Sequence, residues 1–167
     1  MRVAVMGHTG RGNYGHGLDT VWLDFPGVKV VGVSDPNSEG RGKAVSRLGL
    51  QETDGFADYK ELLKEKQPDL VAVAPRYVDE HAAMAIAAAG SGARGICIEK
   101  PFCRNLEEAK AIASSCFLHN TKLVIAHRNR YHPVLPVVAD LMANRKIGTL
   151  LEIRARGKED HRGGCLD

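Results

Sequence analysis

"RVAVMGHTGRGNYGHG" (residues 2–17) joins a short apolar run to five glycines, Gly7, Gly10, Gly12, Gly15 and Gly17. Glycine loses the most conformational freedom on folding, so a dense cluster marks a tight turn or a close approach to the backbone. The letters GxGxxG fit at Gly10, Gly12 and Gly15, yet the apolar run ends at Met6 and the first glycine after it is Gly7. Read as an extended loop, Gly7 makes the turn, Gly10 and Gly12 admit a pyrophosphate, and Gly15 lets a helix pack on the sheet. That helix is expected to start near Asn13 and to offer N–H groups and a positive dipole end to phosphate. Leu18, Val21, Trp22 and Phe25 recur behind it at helical spacing. Thr9 supplies a hydroxyl and Arg11 a charge for phosphate. His8 stands at the cofactor position, and His16 reads as a surface or capping residue of the helix. Alone, GxGxxG is weak; an apolar strand before it and an amphipathic helix after it give it weight.

Outward from this loop the chain alternates short apolar strands with helical segments. Strands are expected at 28–34, 69–75, 95–101 and 122–127. Helices are expected around Ala44–Leu48, around Tyr59–Leu63, over 78–90 up to Gly90 and Gly92, and from Asn105, an N-cap with Glu108 three residues on. Apolar strands separated by helices predict a doubly wound, mostly parallel α/β sheet. After residue 133 the pattern changes. A helix is expected over Val134–Lys146, closed by Gly148, and then "LLEIRAR" alternates apolar and polar residues as a half-buried antiparallel strand does. One strand cannot support itself. The expectation is therefore a domain over 1–130 and, over 131–167, the incomplete start of an α+β second domain belonging to a longer chain.

Composition narrows the function classes. The chain has 167 residues, is 44% hydrophobic and 26% charged, and carries a net charge of +3. It can bury a core, and its mild, dispersed charge gives no expectation of a nucleic-acid partner. Cys97, Cys103, Cys116 and Cys165 form no CxxC pair, so neither a metal site nor a disulfide framework is expected. His127 and His132 lack an acidic third ligand. "AAMAIAAAG" is too short to cross a bilayer, and "MRVAVMG" has no apolar leader core. No membrane partner and a cytoplasmic location are expected.

Two further stretches carry chemistry. Asp35 ends the second strand, twenty residues beyond Gly15. An acid there hydrogen-bonds the adenosine ribose and repels a 2′-phosphate, favouring NAD. The alternative is that Asp35 only opens the "DPNSEG" turn, and Arg41 and Lys43 leave NADP possible. In "CIEKPFCRNLEEAKAI" (97–112), Lys100 sits between Glu99 and Pro101 at the carboxyl end of a parallel strand, facing the crevice where such sheets bind ligands.

With "VAVMGHTGRG", "SDP", "AP" at 74–75, His81, "EKPF" and "AHRNRYHP" (126–133), the chain resembles the family of glucose–fructose oxidoreductase, inositol dehydrogenase and their MocA-like relatives. The resemblance implies an N-terminal Rossmann domain followed by a substrate domain with an open, mostly antiparallel sheet. It implies that Lys100 contacts the substrate oxygen and assists proton transfer, as an ammonium beside a developing alkoxide does. It further implies that Glu99 and Pro101 lie against the nicotinamide ribose and Pro75 at the pyrophosphate crossing. Arg130 and Tyr131 match its arginine/aromatic pair near the cofactor. The family's catalytic histidine belongs after a "GG" segment such as "RGGCLD", and His161, which precedes those glycines, does not fill the role. The implied activity is hydride transfer between NAD and a secondary alcohol or ketone of a sugar, cyclitol or related polyol, by a homo-oligomer when full length. The competing reading is a non-catalytic dinucleotide-binding module, sensing redox state or serving an assembly.

Overall fold

Why the strands stack as they do follows from their composition: each is a short apolar run with both faces needing cover. In the computed structural model, which describes residues 1–154, β1 (Arg2–Met6), β2 (Lys29–Ser34), β3 (Gly55–Phe56), β4 (Leu70–Val73), β5 (Gly95–Ile98) and β6 (Lys122–Ile125) form one parallel sheet in the order β3-β2-β1-β4-β5-β6. Side chains alternate across it. Ala4, Met6, Val71, Val73, Ile96 and Ile98 pack on one face, and Val5, Val33, Ala72 and Ala74 on the other. The first face is covered by residues of α2 (Tyr59–Lys66), α3 (His81–Gly90) and α4 (Leu106–Leu118), and the second by α1 (Ser38–Arg47). The doubly wound reading therefore holds, with the short β3 as an element the sequence reading did not separate.

Side-chain caps start three of the helices. Asn37 accepts from the Gly40 N–H at 2.8 Å, Asp58 from Lys60 at 2.8 Å and Asn105 from Glu108 at 2.9 Å. The expected box at α4 is displaced by one residue, because Glu108 reaches back to the Arg104 N–H rather than to Asn105.

Two expectations are corrected. No α-helix follows the glycine loop: residues Gly15–Gly17 and Val21–Asp24 form separate 3-10 turns. Positive φ at Asn13 (53°), His16 (49°) and Gly17 (74°) cannot continue a right-handed helix. Leu18 is buried and Trp22 packs on the second face, while Val21 and Phe25 are exposed, so the apparent stripe is two contacts. Past Ala126 the chain forms a second compact unit. There a 3-10 turn (Arg128–Tyr131) leads to α5 (Val134–Ala143), which tolerates Pro136 in its first turn and ends three residues before the expected Lys146. Gly148 turns with φ +77°. Residues 151–154 pair with no strand, so the described part of the expected strand is not one, and Ala155 and Arg156 lie outside the described residues. The same holds for His161 and the "GG" segment.

Candidate functional site

A sheet of this order reverses between β1 and β4, and the loops leaving their carboxyl ends flank a crevice. The loop after β1 folds into a small closed turn: Arg11 and Asn13 N–H groups both donate to the His8 carbonyl at 3.0 Å. It is tied to β4 as well, since the Gly15 N–H donates to the Ala74 carbonyl at 2.7 Å and Arg76 Nε to the Gly12 carbonyl at 3.2 Å.

The five glycines now separate by what a side chain would meet. At Gly7 a methyl group would fall 2.1 Å from the Tyr14 ring, so this position makes room for a protein side chain. At Gly12 (φ +87°) it would strike the Arg76 N–H nitrogen at 2.6 Å, and at Gly15 the Glu99 Cγ at 2.7 Å. Gly15 thus serves contact with a strand-end carboxylate, which corrects the expected helix–sheet packing. Gly10 differs: its φ is +86°, and nothing lies within 4 Å of the missing side chain. It is the loop glycine whose open side suits an approaching group.

Asp35 is fully buried at the end of β2. Its Oδ1 accepts from the Thr9 N–H at 3.1 Å and the Asn37 N–H at 3.0 Å. Its Oδ2 accepts from the Thr9 hydroxyl at 2.7 Å and the Tyr14 hydroxyl at 2.9 Å. Burial first, then the Asp35 carboxylate, push the Tyr14 phenol far above its ordinary value. The loop arginine and histidines also meet acids within the protein. Arg11 pairs with Asp79 and lies over the Tyr77 ring, His8 Nδ1 faces Glu80 Oε2 at 2.6 Å, and His16 Nδ1 faces Glu99 Oε1 at 2.5 Å. The structure thus brings Thr9 and Asp35 together and turns Arg11 and His8 toward the acidic pair after β4.

At the next strand end, Glu99 is buried and, among the described residues, its Oε2 has no hydrogen-bond partner. A buried lone pair without a donor is costly, so this atom suits a hydroxyl entering the crevice. Lys100 is exposed and, among the described residues, pairs with no acid. The Lys100–Pro101 peptide is cis. His81, fully buried, spans the two loops: Nε2 lies 2.7 Å from the Pro75 carbonyl and Nδ1 2.9 Å from the Pro101 carbonyl. Burial and then the Glu99 charge raise the Cys97 thiol. Arg130 lies exposed on the 3-10 turn of the second unit.

Sequence reasoning missed Tyr14, Asp79, Glu80 and the His16–Glu99 pair. The adjacent acids at 79–80, just past a proline-stopped strand, were a usable signal. Tyr14 gave none, because its partner depends on how the loop closes.

A cofactor fits this donor set in three respects: open space at Gly10, the orphan Glu99 Oε2, and a cavity of about 320 Å³ bordered by Thr9, Tyr14, Asn37 and Lys43. The sequence profile of the Gfo/Idh/MocA group, described as an oxidoreductase family with an NAD-binding Rossmann fold, matches residues 1–127. D-apiose dehydrogenase of Paraburkholderia graminis is 27% identical over 128 residues, 77% of this chain and 33% of its own length. Levoglucosan dehydrogenase of Pseudarthrobacter phenanthrenivorans is 28% identical over 129 residues, 77% of this chain and 32% of its own. The chain spans about a third of the length of these relatives. The solved structure of myo-inositol 2-dehydrogenase from Lactobacillus plantarum shares the fold, with a TM-score of 0.75, 23% identity, and coverage of 90% of this chain and 43% of that one.

Proposed function

Because the chain belongs to the Gfo/Idh/MocA oxidoreductase family, with its NAD-binding Rossmann fold, we propose that it supplies the cofactor half of an NAD-dependent dehydrogenase acting on a sugar, cyclitol or related polyol. The observation that carries the reading is Lys100, an exposed ammonium at the carboxyl end of β5, next to the buried Glu99 with its unpartnered oxygen. When bound, NAD supplies the acceptor for a hydride leaving a secondary alcohol. Lys100 Nζ hydrogen-bonds the alcohol oxygen, stabilises the charge that develops there and assists transfer of its proton. Glu99 Oε2 accepts from a hydroxyl of the nicotinamide ribose, with Pro101 beside it and Pro75 at the pyrophosphate crossing. His81 holds the two proline-bearing loops at fixed separation through their carbonyls, which keeps Lys100 in register with the crevice. Gly7, His8, Thr9, Gly10, Arg11 and Gly12 form the pyrophosphate side, with Gly10 as the point of closest approach, and the family resemblance assigns Arg130 to the cofactor set. The Asp35 charge disfavours a 2′-phosphate, so NAD is preferred to NADP. Residues 1–130 form the cofactor domain, 131–167 begin the substrate domain, and the full-length protein is a homo-oligomer in the cytoplasm.

Titrating NADH into the chain and following nucleotide fluorescence tests this. Saturable binding is expected, weakened about tenfold or more by Gly10→Asp, a difference of ~1.4 kcal/mol. A Cβ at Gly10 meets no atom within 4 Å, but its φ of +86° strains any side chain, so Gly10→Ala is the control. Weakening by aspartate beyond that by alanine reports charge against phosphate. A folded chain that binds no NADH removes the proposal.

A further inference from the structure

Asp35 has no acceptor position left to give. Each carboxylate oxygen has two lone pairs. Oδ1 is taken by the Thr9 and Asn37 N–H groups, and Oδ2 by the hydroxyls of Thr9 and Tyr14, with the Thr9 N–H shared at 3.1 Å. A ribose hydroxyl reaches this carboxylate only if one of these donors withdraws.

The donors differ in how easily they leave. Two are backbone N–H groups fixed by the loop and by the turn into α1. The Thr9 hydroxyl is wedged under the first turn of α1: a methyl group on Gly40 would lie 1.9 Å from its oxygen. Tyr14 is held differently. Its ring fills the space left by the absent side chain of Gly7, it lies under the Arg47 guanidinium at 4.9 Å, and with Thr9 and Asn37, which also bond Asp35, it borders the cavity of about 320 Å³. Pockets for small ligands start near this size, roughly 300 Å³. Withdrawal of the phenol requires only a turn of the Tyr14 side chain, whereas withdrawal of either N–H requires backbone to move.

Resting on the cofactor reading above, we propose that Tyr14 is an affinity-determining residue that competes with the cofactor. Its phenol hydroxyl occupies on Asp35 Oδ2 the place of an adenosine-ribose hydroxyl, and the ribose binds as the phenol withdraws. Without nucleotide the phenol keeps a buried carboxylate satisfied, so Asp35 stays fully buried behind the donors that line the cavity. Polar exchange on one atom is nearly neutral overall, so the cost of opening falls on cofactor affinity.

The test uses the whole chain, wild type and Tyr14→Phe, titrated with NADH and with AMP, which carries only the adenosine half. Removing the hydroxyl keeps the ring against Gly7 and frees one lone pair. Tyr14→Phe is expected to bind both nucleotides roughly 2- to 10-fold more tightly, the worth of one hydrogen bond. Binding by Tyr14→Phe alone, with wild type silent, supports the proposal equally. NADH bound by both proteins with the variant no tighter overturns it and leaves the cofactor reading standing. Tightening for NADH but not AMP also overturns it, because the gain then lies away from the ribose of adenosine. Silence from both proteins, each shown folded by circular dichroism, removes the cofactor reading and the proposal together.

Discussion

At the scale of single residues, the glycine loop is filled mostly by the protein itself. Gly7 houses the Tyr14 ring, Gly12 the Arg76 backbone and Gly15 the Glu99 side chain, so three of the five glycines serve internal packing. Tyr14 makes a consequence measurable without nucleotide. Burial and the Asp35 carboxylate raise its phenol well above the ordinary 10.0, so the folded chain keeps a proton that the unfolded chain gives up above that pH. The contribution is complete below pH 10 and is lost as pH rises, at up to about 1.4 kcal/mol per pH unit. Urea midpoints between about pH 10 and 11 should fall more steeply for wild type than for Tyr14→Phe. Parallel slopes would acquit Tyr14.

At the scale of elements, three of the α-helices begin where a side chain answers the first free N–H groups, and the segment after β1 lacks such a start. Thr20 precedes its second 3-10 turn without capping it, and left-handed residues interrupt it before one α-turn is complete. By contrast α4 has a full set: Asn105 caps it, and Glu108 takes the Arg104 N–H and guanidinium. Asn105→Ala should cost about 1 kcal/mol in urea unfolding. The Arg104 side chain beside it, and then the Arg104 N–H, hold the Glu108 carboxyl below the usual range. Its contribution is therefore present at neutral pH and lost as pH falls through that lowered value, and Glu108→Gln should flatten the acid limb of the stability curve. An unchanged acid limb would show that the pair is too exposed to matter.

Over the whole of Met1–Ala126, stability rests on two apolar layers separated by the sheet. Leu62 lies in the α2 side of the larger one and is wholly buried. Gly32 on β2 leaves it room, since a methyl group there would sit 2.6 Å from Leu62 Cδ1. Leu62→Ala should cost about 2–5 kcal/mol, read as a lowered urea midpoint at constant slope. A loss under about 1 kcal/mol would mean the layer collapses around the gap. Function at this scale is a matter of placement: strand order alone sets the glycine loop, the Pro75 loop and Lys100 along one end of the sheet.

The sequence by itself determined five of the six strands of the sheet, their parallel sense, the places of α1 to α5 and the positions of Asp35 and Lys100, because apolar runs, caps and proline stops act locally. It also pointed to the right family, because "EKP" and the glycine loop are local words. What it could not determine is which groups satisfy one another across the crevice. The Tyr14 and Thr9 hydroxyls on Asp35, the Arg11–Asp79 and His8–Glu80 pairs, and the His81 contact with the Pro101 carbonyl all join residues far apart in sequence. Side-chain hydrogen bonds depend on distances of a few tenths of an ångström, and only the closed tertiary structure sets those.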